Sequence, residues 1–122
     1  MTLDLTLPRF NPYMSNAVVE CIYPDAGTPL AAGTKLLDAS VELGVAFSQH
    51  CPPISYYRVV LREDAVLREL RTESGASHAA GEVVAVFTTT PDEPIVRPAS
   101  RAIRVASAAI IRHGGMRAEA GS

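Results

Sequence analysis

Ala17 to Gly33 reads AVVECIYPDAGTPLAAG, and Ala65 to Gly81 reads AVLRELRTESGASHAAG, forty-eight residues later. Ala17-Val18-Val19 answers to Ala65-Val66-Leu67, Asp25-Ala26-Gly27 to Glu73-Ser74-Gly75, and Ala31-Ala32-Gly33 to Ala79-Ala80-Gly81. An apolar pair follows each copy, Leu36-Leu37 in the first and Val83-Val84, one residue early, in the second. Repeats this short cannot bury their own apolar faces, so the two copies are expected to pack on each other.

Each copy reads as strand, tight turn, strand. Val18, Val19 and Ile22 favour a pleated, half-buried surface, as do Val66, Leu67 and Leu70. Gly27 and Gly75 stand where a turn needs positive φ, and Gly33 and Gly81 follow six residues later. Upstream, Leu3, Leu5 and Leu7 alternate with Asp4 and Thr6, and Pro8 ends this first or edge strand. Val83, Val84, Val86 and Phe87 close the second copy. Residues 3 to about 90 therefore form one all-β unit, a small antiparallel barrel or sandwich with pseudo-twofold symmetry.

That arrangement resembles the lipoyl/biotinyl attachment domain, and most closely the lipoyl domains of 2-oxo acid dehydrogenase acyltransferases. Pro8, Phe10 and Met14 match the family's opening. Val18-Val19, Gly27 and Gly33, then Val66-Leu67, Gly75 and Gly81, match its later spacings. The likeness covers nearly three quarters of the chain and implies a flattened barrel whose central hairpin carries a modifiable lysine at its tip. Here the sequence departs from the family. The segment between Gly33 and Ala65 is longer than the family's, its midpoint falls at Gln49, and its only lysine is Lys35, in the turn after the first repeat. Every later basic residue is arginine, whose guanidinium stays protonated and cannot accept an acyl group. No lipoyl or biotinyl cofactor is therefore expected.

The tip instead reads Gln49-His50-Cys51-Pro52-Pro53. Val41, Leu43, Val45 and Phe47 alternate on the way out, and Tyr57, Val59 and Leu61 on the way back. This predicts a long hairpin over 41–61 whose apolar face extends past the barrel. Such a face needs a cover, and its strand edge invites pairing with another chain. Val45, Phe47, His50, Tyr57 and Val59 are thus expected to form an interaction surface. His50-Cys51 has two readings: a reactive thiol whose pKa the histidine lowers, or a rigid proline-set turn. Cys21 is expected to be a core thiol, so two cysteines supply no disulfide framework. No pair of His50, His78 and His113 shows ligand spacing with them, and no metal is expected. Ser77 and His78 lack the last glycine of a nucleophile elbow and read as turn residues, like Pro29 and Leu30 in the first copy. Glu63-Asp64 and Asp92-Glu93 read as solvated faces.

The last thirty residues differ in character. Pro91, Pro94 and Pro98 make a stiff connection, dividing the chain into a barrel over 1–90 and a linker with tail over 91–122. Ala99 to Arg112 reads as a short helix capped by Ser100, with Ile103, Ala106 and Ile110 on one face and Arg97, Arg101 and Arg104 on another. Such a basic tail either docks on the acidic barrel or binds a partner through Arg101 and Arg104.

The whole chain has 122 residues, 48% hydrophobic, with a formal net charge of −2, enough for one core and unsuited to nucleic acid. No signal peptide or membrane-spanning run is visible, which makes the cytoplasm the expected location. The expected function is non-catalytic: an interaction or assembly subunit of a multi-component enzyme, in contact with larger subunits or a second copy. Two alternatives are a carrier or redox protein using Cys51 in place of the lysine, and a small-ligand domain with its pocket beneath the hairpin.

Overall fold

The computed structural model describes residues 1–12, 14–42 and 54–110. They form ten strands and no helix: β1 (Thr2–Thr6), β2 (Asn16–Ile22), β3 (Pro29–Leu30), β4 (Lys35–Glu42), β5 (Ile54–Leu61), β6 (Ala65–Leu70), β7 (Ser77–Ala79), β8 (Val83–Thr88), β9 (Arg101–Ala102) and β10 (Val105–Ile110). Two five-stranded, mostly antiparallel sheets result, ordered β3-β6-β8-β1-β9 and β10-β5-β4-β2-β7, and they do not close into a barrel. Their buried side chains form one cluster, with Leu3, Leu5, Leu67 and Phe87 from the first sheet and Leu37, Val41, Val59 and Leu61 from the second.

The repeat is interlocked rather than stacked. The short strand of each copy leaves its own sheet: β3 of the first pairs with β6 of the second, and β7 of the second pairs with β2 of the first. All four repeat glycines have φ between +92° and +98°, where a Cβ would be strained. Two of them make the interlock. Gly27 donates its N–H to the Leu67 carbonyl at 2.6 Å, and Gly75 donates to Val19 at 2.7 Å, the same bond forty-eight residues apart. The bulge that re-aims each long strand also recurs, between Val19 and Cys21 and between Leu67 and Glu69. Leu36 and Val84, not Leu36 and Val83, are equivalent, because Tyr23 donates to the one and Arg71 to the other. The offset thus holds through the end of each copy.

Four expectations need correction. The tail is no helix: residues 101–110 add β9 to β1 in parallel and β10 to β5 antiparallel. Ile103 and Val105 also fit a period of two, and Ile103 is 5% exposed in the core. A helix this short is marginal on its own, whatever its alanines favour, and the row of N–H and C=O groups that β5 leaves open gives this segment a ladder of hydrogen bonds instead. Because β9 covers β1, the first strand is not an edge. Ser77 and His78 lie in a strand, not a turn. Cys21 is half-buried at the bulge and is not a core thiol. Among the described residues no helix is long and apolar enough to cross a membrane.

Candidate functional site

Strands β4 and β5 form the base of the expected hairpin, paired from Lys35↔Val60 to Glu42↔Ile54. Val45, Phe47, His50 and Cys51 lie beyond that last pair, outside the described residues. The returning strand departs from expectation. Val59 is 0% exposed and belongs to the core, so it is no contact surface. Tyr57 is half-buried and stacks on Phe10, ring centroids 4.8 Å apart and nearly parallel. The alternation was sound, but at this height its apolar side is already covered by the other sheet.

The opposite face of the same strands is polar. Asp38 on β4 is 3% exposed and stands between Cys21 of β2 and Arg58 of β5. Arg58 grips it with two donors, Nε to Oδ1 at 2.8 Å and Nη2 to Oδ2 at 3.1 Å, and the Tyr23 hydroxyl donates to Oδ2 at 2.6 Å. Enclosure of the hydroxyl end, reinforced by the Asp38 carboxylate, pushes the Tyr23 phenol up to about 12, although its ring is largely exposed. The hydrogen bond to Asp38 holds the Arg58 guanidinium above its ordinary range. Lys35 Nζ and the Arg58 guanidinium each lie 5.7 Å from the Tyr23 ring centroid. A phenol that keeps its proton and a carboxylate accepting on both oxygens make a clasp across three strands, not an acid–base pair. Beside it, Ser15, Asn16, Val18, Ser40, Glu42, Ile54 and Ser77 line an open groove of about 380 Å³ that runs to the hairpin's last described pair.

The tail is clamped by charge. Arg101 makes a two-pronged pair with Glu63, both contacts 2.7 Å, and the Arg104 N–H adds a third bond to Glu63 at 2.8 Å. Arg97 grips Asp4 in the same way at 2.7 and 3.0 Å. Arg101 is therefore engaged within the chain, whereas Arg104 is exposed. Nor is Glu63-Asp64 a merely solvated face, since Asp64 accepts from the Ala32 N–H at 2.9 Å. Arg101 holds the Glu63 carboxyl down at about 2. A carboxyl lowered by folding stabilises fully above its unfolded value, about 4.3, and loses that contribution as pH falls through the folded one. Glu63→Gln should cost about 1–2 kcal/mol at pH 7 and much less near pH 2. Faster hydrogen exchange over 105–110 in the variant at neutral pH checks it; an unchanged rate would mean that β10 is held by its ladder alone.

Reading for motifs missed one arrangement. Thr72 Oγ1 lies 2.7 Å from His78 Nε2, and His78 Nδ1 lies 2.9 Å from Glu82 Oε1. The His78 hydrogen bond lowers the Glu82 carboxyl. Hydroxyl, imidazole and carboxylate stand in the order of a proton relay. The crevice beside Thr72, however, is otherwise lined by carbon side chains such as Leu5, Ile22, Leu70 and Phe87, with no second polar side chain to stabilise an oxyanion. In the first copy the same positions are Pro24, Leu30 and Thr34, so only comparing the copies could have singled them out. The relay ties β7 to the turns on either side of it. Among the described residues no group of three His, Cys, Asp or Glu side chains could hold a metal ion. No protein-family model matches the chain, and no curated protein matches its sequence.

Proposed function

We propose that this chain is a lipoyl-like unit without a prosthetic group, serving as a non-catalytic interaction or assembly subunit of a multi-component enzyme through its central hairpin. The observation that carries this reading is the position of Lys35, the sole lysine, at the start of β4. A strand rises about 3.3 Å per residue, so Lys35 lies about 23 Å from Glu42, at the far end from the hairpin tip. There its ammonium rests near the Tyr23 ring. An amine so placed cannot swing from the tip as the resemblance requires of an acyl carrier. The interlocked repeat and the hairpin leaving between its halves support the likeness in architecture. The clasp of Tyr23, Asp38 and Arg58 supports a structural role for the polar face.

The test is the intact mass of the protein purified from its own host. The bare polypeptide is expected. A lipoyl or biotinyl adduct on any residue would overturn the reading.

A further inference from the structure

Among the described residues, three of the four sheet edges are blunted. Strands β3 and β9 have two residues each, β3 includes Pro29, and β9 includes Arg101 in its pair with Glu63. Strand β7 has three residues, and His78 at its middle is tied to Thr72 and Glu82. Short strands, proline and charge are the usual guards against edge pairing. Strand β10 has none of them. It is six residues long, reads Val105-Ala106-Ser107-Ala108-Ala109-Ile110, and exposes Ser107, Ala108 and Ala109.

Its backbone fixes what such an edge offers. The Arg62 N–H donates to the Arg104 carbonyl at 2.9 Å, which makes these two a hydrogen-bonded pair continuous with the β5–β10 ladder. Antiparallel pairs alternate. Ala106, Ala108 and Ile110 therefore turn their N–H and C=O groups toward β5, and Val105, Ser107 and Ala109 turn theirs outward. Three consecutive open positions centred on Ser107 are self-complementary. Set against itself about a twofold axis through Ser107, the strand pairs Ser107 with Ser107 and Val105 with Ala109, and all six outward N–H groups find carbonyls.

We propose that β10 joins β10 of a second copy in this register, making one continuous sheet across a symmetric dimer. The side chains fit. Ser107 faces Ser107, Ala106 faces Ala108, and Val105 faces Ala109, so nothing bulky meets and no charge opposes its like over the five central residues. Val105 and Ser107 lie on the side of Leu61 and Val59, opposite which they pair, so the core-facing sides of the two sheets remain continuous. The contact is small and made mostly of backbone bonds, which implies a concentration-dependent dimer rather than an obligate one. It holds whether or not the hairpin tip engages a larger subunit.

Sedimentation equilibrium of the full chain tests it. Mass should rise from one chain toward two with concentration, and Ser107→Lys should raise the dimer dissociation constant by about tenfold or more, since two ammoniums would then meet on the axis. In a Cys21→Ser, Cys51→Ser background, Ser107→Cys should cross-link two chains on oxidation, because residues in a hydrogen-bonded pair are about 5.5 Å apart. Ala108→Cys, displaced from its mate, should not. A chain monomeric at every concentration, an unaltered dissociation constant in Ser107→Lys, or cross-linking through Ala108→Cys and not Ser107→Cys would each overturn the proposal.

Discussion

Phe87→Ala should lower the free energy of unfolding by about 3–5 kcal/mol, the range for deleting a buried aromatic ring. Phe87 is 1% exposed in β8, opposite Leu3 of β1 on one side and Leu67 of β6 on the other. Its place in the first copy is taken by Ala39, which is 0% exposed. Among the described residues no other aromatic is fully buried, and Phe10 and Tyr57, which pack against the cluster from its margin, are stacked on each other rather than free to fill the void. For a domain of this size the loss corresponds to a fall of roughly 10–20 °C in Tm. Thermal and urea unfolding monitored together check both the magnitude and the cooperativity. A loss below about 1 kcal/mol would mean that the core collapses around the gap and that the halves are more loosely joined than described.

The parts of the fold that rest on local chemistry were legible in the sequence. Glycines at 27, 33, 75 and 81 mark turns that only positive φ allows, and all four adopt it. Alternation at Leu3, Leu5 and Leu7 marks the first strand, and all three side chains are buried, although the strand is internal to its sheet rather than at an edge. What stayed hidden depended on partners distant in sequence. Pro29-Leu30 and Ser77-His78-Ala79 look like turn residues because their strand character comes from pairing with the other copy. The tail spaces its apolar residues for either a helix or a strand, and the open edge of β5 decides between them.

The site was legible to a lesser degree. Alternation along 41–61 is real, yet sequence does not reveal where a core ends along a hairpin. The spacing puts Val59 on the same apolar face as the hairpin's expected contact residues, and there it is buried in the core. Asp38, Arg58 and Tyr23 come from three separate segments and show no motif, so their clasp emerged only with the register of β2, β4 and β5. The open edge of the hairpin called for a partner strand, and the chain's own tail supplies it along β5.

The hairpin tip remains the feature on which the proposed function depends. Val41 and Ser55 stand directly opposite as a hydrogen-bonded pair, so exposed Glu42, exposed Ile54 and the residues between them can be replaced by Asn-Gly, a two-residue turn that suits such a pair. No core side chain of β4 or β5 is removed, and unfolding should change by about 1 kcal/mol or less. Association should change far more. In lysate of the native host, the unaltered chain should migrate with a complex much larger than itself or its dimer. The Asn-Gly variant should migrate free of that complex, while keeping the concentration-dependent self-association assigned to β10. That size profile, measured side by side for the two chains, tests the proposed role most directly. Loss of the large complex in the variant alone is the predicted result, and a variant that stays in the complex, or an unaltered chain that never enters one, would contradict it.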